Sequence, residues 1–143
     1  MRIDEIFDLT ELNVEEPDLP LFEMANLDTT DTNLDRGTVF ISTKYASHGC
    51  RIKYVLNSND QSKALIVSIP DFEIVLDKLG PKIDDRTRKE VVRFAIKNKD
   101  IILNYWNNAA TMPRKPYIEL LSSIQPLTPA EKKAARQLTL KYK

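Results

Sequence analysis

The chain has 143 residues, with 21 Lys+Arg against 21 Asp+Glu, one His, one Cys and one Trp. That is the size and composition of one folded domain with its own core, and it excludes a fibrous or low-complexity protein. One Cys excludes an internal disulfide, three Gly leave no Gly-rich phosphate loop, and no apolar run reaches the roughly 18 residues of a membrane span. These features predict a cytoplasmic protein without a signal peptide.

The neutral total conceals a division along the chain. Residues 1–36 hold 11 acidic and 2 basic residues, a net of −9, and residues 37–143 hold 10 acidic and 19 basic, a net of +9. We therefore expect an acidic N-terminal extension over 1–36 and a single domain over 37–143. Ile3, Ile6, Phe7 and Leu9 begin the extension, Pro17 and Pro20 flank an acidic stretch, and Asp28 to Asn33 is polar and turn-prone. Scattered apolar residues (Val14, Leu19, Leu21, Phe22, Met24) suggest that the extension docks.

From Gly37 the pattern turns to period two. Thr38–Tyr45, Arg51–Leu56 and Lys63–Ile69 read as strands joined by short turns, hence an antiparallel meander. In the connection 46–50, Gly49 is expected to supply a positive φ. Residues 71–83 fit either a fourth strand or a short helix. A long helix is expected from a cap at Asp84 or Asp85 to about Asn107. At about 100° per residue, Val91, Ala95, Ile102 and Trp106 share its core face, with Asn98 near the edge as a point for a kink. Tyr117 begins a short helix that Pro126 stops. Thr128, Pro129 and Glu131 then form a capping box that starts the last helix. The expected fold is α+β: a three- or four-stranded antiparallel meander against one long helix, with C-terminal helices and the acidic extension around it. Trp106 against Ile41, Ile52 and Val67 is its expected centre.

Candidate chemistry is sparse. His48 and Cys50 meet in one turn, where a thiol and a base could act together, although a plain hairpin loop explains them as well. Two such side chains are too few for a structural zinc site, and Asp84-Asp85 reads as a helix cap, so no metal or cofactor is expected. The basic positions say more. Arg86, Lys89, Arg93 and Lys97, spaced 3, 4 and 4 apart, form a stripe opposite the apolar face of the long helix. Lys44, Arg51 and Lys53 share one face of the first hairpin, with Tyr45 and Tyr54 on the other. These seven residues are the candidate binding positions, for a protein or for nucleic-acid phosphates. The acidic extension could mask them in its own chain, pair with a neighbouring chain, or bind a basic partner itself.

Ser42-Thr43-Lys44, Ala46-Ser47-His48-Gly49, Arg51-Ile52-Lys53 and Leu103-Asn104-Tyr105-Trp106-Asn107 resemble motifs of small bacterial proteins of unknown function. The resemblance spans roughly residues 37–110 and implies no activity; it draws attention to the Ser47-His48-Gly49 turn and Arg51. The leading functional reading is an interaction or regulatory protein without catalysis, which engages or self-associates through the basic faces and does not involve a membrane. The alternative is a small metal-independent ribonuclease, in which Lys44, His48, Arg51 and Lys53 supply acid, base and charge stabilisation. That alternative requires the four side chains to converge on one concave spot.

Overall fold

A computed structural model of the chain describes residues 24–46 and 48–143. Six strands lie in chain order: β1 (Met24–Leu27), β2 (Thr38–Ser42), β3 (Arg51–Val55), β4 (Ala64–Ser68), β5 (Glu73–Asp77) and β6 (Lys141–Tyr142). β1 to β5 form an antiparallel meander, and β6 returns from the C-terminus to lie parallel to Glu73 and Ile74 of β5. The helices are α1 (Thr29–Thr32), α2 (Asp85–Lys97), α3 (Lys99–Asn108), α4 (Arg114–Ser122) and α5 (Pro129–Ala135).

The class is α+β, but the sheet has six strands instead of three or four. The ambiguous stretch 71–83 supplies β5, ending in a short 3-10 turn at Gly80–Lys82. Residues 24–36, at the end of the acidic segment, supply an edge strand and a capped turn. There Asp28 accepts from the backbone of Thr30 and Asp31 while Asp31 bonds back to Asp28 N–H. Ala25, Leu27 and Leu34 of this stretch are buried in the main core. Residues 1–23, with Ile3, Ile6, Phe7, Leu9 and the Pro17–Pro20 stretch, lie outside the described residues, as does Ser47.

Strand alternation sorts the sheet into two faces. Ala25, Ile41, Ile52, Val67 and Ile74 are cross-strand partners in one row, with Leu27, Val39, Tyr54 and Leu65 in the next. This face is covered by α2 and α3, on which α4 and α5 pack. The opposite face carries the row Asn26, Phe40, Lys53, Ile66 and Leu76. A second, separate apolar cluster forms there from Phe40, Val55, Ala64, Ile66 and Val75.

The expected single helix is two. Asp84 caps α2, its Oδ1 accepting from Thr87 N–H at 2.9 Å. Asn98 then leaves helical geometry (φ −105°, ψ 18°) and α3 restarts. The Asn98 side chain is fully buried and behaves like a strand backbone. Its Nδ2 donates to Phe94 O and Gln125 O, and its Oδ1 accepts from Gln125 N–H at 2.8 Å. With Asn98 inside the core face, the centre of that face runs through Phe94, Asn98, Ile102, Tyr105 and Ala109. Trp106 is consequently only half-buried; Tyr105, wholly buried and hydrogen-bonded to the Tyr117 hydroxyl at 3.0 Å, takes the place expected for it.

Candidate functional site

β2 ends at Ser42, so Lys44 and Tyr45 lie in the following turn and not on a strand face. Lys44 N–H donates to Trp106 O at 2.8 Å, and its ammonium sits 5.9 Å from the exposed Tyr45 ring. His48 stacks on Trp106, ring centroids 6.0 Å apart, with Nδ1 2.8 Å from Gly49 O. The turn is therefore pinned to α3, on the helical side of the sheet. Gly49 is not among the positive-φ residues, contrary to the role expected of it. Burial pushes the Cys50 thiol up to about 11, so it stays protonated at neutral pH and is a poor nucleophile.

Arg51 and Lys53 leave β3 on the side opposite Ile52 and Tyr54, away from α2 and α3. Lys44, His48, Arg51 and Lys53 thus divide between the turn and the far face of the sheet. The structure does not gather them into one concave spot.

The α2 stripe forms as a stripe, but another element occupies it. Lys97 Nζ bonds Glu131 Oε1 at 2.6 Å and Pro126 O at 2.8 Å, and Arg93 lies 3.6 Å from the second Glu131 oxygen. Lys89 reaches Arg136 O, and Arg86 bonds Glu90 at 3.0 Å and faces Asp35 at 3.7 Å. Lys132 of α5 closes the network on Asp35 at 2.8 Å and approaches Glu90 at 3.8 Å. Four cations that read as a binding surface therefore hold α5 and Asp35 against α2. Lys97 and the Thr128 backbone hold the Glu131 carboxyl down at about 2, and the bond from Lys132 lowers Asp35.

Arg51 and Lys53 have no such partners: among the described residues, no ion pair involves either. Desolvation lowers both below the ordinary range, and the Arg51 charge lowers Lys53 further. They stand beside the apolar cluster of Phe40, Val55, Ala64, Ile66 and Val75, Lys53 being the cross-strand partner of both Phe40 and Ile66. The β3–β4 turn, through Ser58, Asn59 and Gln61, borders Phe40 in a polar cleft of about 360 Å³ with Asn26, Asp28 and Thr38. This half-apolar, half-basic sheet face is the candidate site.

Sequence reasoning placed Arg51 and Lys53 but missed their apolar neighbours Phe40 and Ile66, because the cross-strand register of β2, β3 and β4 is written in no single strand. It also missed Arg88, buried and bonded to Asp77 at 2.7 Å and to the carbonyls of Gly80 and Ile83. Its signal was a basic residue on the apolar face itself, one turn before Val91. Among the described residues, no cluster of His, Cys, Asp or Glu could hold a metal ion, and no helix is long and apolar enough to cross a membrane. The chain matches no family model, no curated protein and no solved structure.

Proposed function

We propose that the protein is a non-catalytic interaction module whose outer sheet face binds an acidic, partly apolar polypeptide segment. The observation that carries this reading is the adjacency of Arg51 and Lys53, unpaired among the described residues, to the Phe40–Ile66 apolar cluster. A counter-charge would restore the solvation that both cations lose, and apolar side chains would rest on exposed Leu76 and half-buried Val75 beside the cluster. Nucleic acid is the weaker reading. Tight binding there draws on about 6–10 phosphate contacts, and the α2 cations that might extend the surface already hold Glu131, Glu90 and Asp35.

The test is a titration of the full chain with a fluorescent amphipathic peptide of alternating Glu and Leu or Phe, beside a 20-nucleotide RNA. Peptide binding should weaken about tenfold in Arg51→Glu/Lys53→Glu, the scale of one or two desolvated charge contacts. RNA binding as strong as peptide binding, or peptide binding indifferent to the double substitution, overturns the reading.

A further inference from the structure

We propose that the C-terminal arm, residues 128–143, is a displaceable latch over the cations of α2, and that the stripe beneath it binds a single-stranded nucleic-acid backbone. The stripe lies on the helical side, so the proposal stands apart from the outer sheet face.

The arm has a fixed root. Gln125 N–H donates to the buried Asn98 Oδ1 at 2.8 Å, and Gln125 O accepts from Asn98 Nδ2 at 2.9 Å. Leu127, wholly inside the core, donates its N–H to Thr32 O at 2.9 Å, and its carbonyl accepts from Asn33 Nδ2 at 2.7 Å. The chain is therefore tied to the body as far as Leu127, whatever α5 does.

Beyond the root the hold is of another kind. Within 128–143 Ala135 alone is buried, with Leu138 and Leu140 half-buried against the core. β6 adds the short pairing with Glu73 and Ile74. The rest is charge: Glu131 on Lys97 and Arg93, Lys132 on Asp35 and Glu90, and Lys89 on Arg136 O. A segment with so little buried apolar surface belongs to the part of a fold that opens first. Its ion pairs are individually weak and screened by salt.

Opening uncovers an ordered surface. Arg86, Lys89, Arg93 and Lys97 sit within α2, so the helix keeps their spacing when the arm leaves. They span about 16 Å along the axis. Glu131 already occupies this surface as an anion, one carboxylate shared between Lys97 and Arg93. A phosphate offers the same two cations more charge and more acceptor oxygens. A line made only of cations suits a backbone of repeating phosphates.

Two measurements on the full chain test this. In the parent protein, raising NaCl from about 0.05 M to about 0.5 M should speed amide exchange about tenfold over residues 132–138. Gln125 and Leu127, at the root, should keep their rates. Next, a fluorescent 20-nucleotide RNA is titrated into the parent and into Asp35→Asn/Glu131→Gln. This variant takes two anions off the stripe, while a glutamine still completes the capping box. It should bind the RNA about tenfold more tightly than the parent, with log affinity falling against log salt at a slope of about −3, as about four phosphates on a single strand require. Adding Arg93→Gln/Lys97→Gln should return binding to the parent level. Adding Arg51→Gln/Lys53→Gln instead should change it by no more than about twofold, the effect of distant, screened charges.

Arm exchange indifferent to salt, or equal RNA binding by parent and variant, overturns the proposal. So does RNA binding that depends on Arg51 and Lys53, or an acidic amphipathic peptide that outcompetes the RNA at Arg93 and Lys97. The peptide titration of the parent, with the arm closed, decides the outer sheet face separately.

Discussion

Gly37 shows how much a single backbone position can carry. Its φ is +90°, and an added Cβ would sit 2.6 Å from the Tyr54 ring. The ring cannot yield, since it is wholly buried and its hydroxyl donates to Arg36 O at 2.7 Å. Gly37→Ala should therefore cost about 2–4 kcal/mol, backbone strain and overpacking together. Urea denaturation would show a lower midpoint at unchanged slope. Gly49→Ala, with open space around it and no positive φ, should stay within about 0.5 kcal/mol. The sequence marks Gly37 only as the point where period two begins. The ring that makes it indispensable arrives from 17 residues further on.

At the level of elements, the C-terminal third is held by two polar devices. In the first, Glu131 closes the capping box with Thr128 and pairs with Lys97 and Arg93. Its carboxyl sits at about 2, below its ordinary 4.5. A depressed acid contributes stability that is complete above the unfolded value and is lost as pH falls through the folded one. Glu131→Gln should therefore destabilise the protein by about 1 kcal/mol at neutral pH. The gap between variant and parent should close between about pH 4.5 and pH 2 in paired urea titrations. The second device is Asn98, which spans the helix break to Gln125. Asn98→Ala strands the Gln125 N–H and carbonyl and should cost about 2–3 kcal/mol. Amide exchange should quicken first in residues 125–135, ahead of the central strands.

These two devices differ in legibility for a physical reason. The capping box is read from four consecutive residues, because a helix start is a local event. Asn98 reads as a kink, but its partner lies 27 positions away, and no periodicity encodes that pairing. Trp106 was misplaced by the same omission: with a polar Asn98 kept out of the core face, the apolar stripe tilts toward Trp106 and away from Tyr105. The α2 stripe was legible as a row of cations, whereas the Glu131 that holds two of them sits beyond two further helices.

Across the whole molecule, a meander with one helical layer was evident from the alternating strands and the amphipathic stretch after Asp84. The width of the sheet was not. β1 is four residues, MANL, with no alternation to announce it, and β6 is two residues whose place depends on where the chain returns. One sheet face meets helices, and the other gathers Phe40, Ile66, Arg51 and Lys53 from three strands. No single stretch of sequence contains that face.

The far edge of this sheet has its own defence. β6 covers only Glu73 and Ile74, so the rest of β5, through Asp77, ends the sheet with its outer backbone edge free of β6. Such an edge is a template on which strands of other molecules can stack into aggregates. Asp77 counters this by turning a carboxylate inward, where Arg88 binds one oxygen at 2.7 Å and the other accepts from the Leu79 and Gly80 N–H groups at 3.1 Å. An incoming strand would have to lie against a charge already anchored to α2, and the chain turns away at once through Gly80-Pro81. The Arg88–Asp77 pair thus sets an anchored charge beside the open part of this edge, which disfavours strand addition there, a role quite separate from holding β5 to α2.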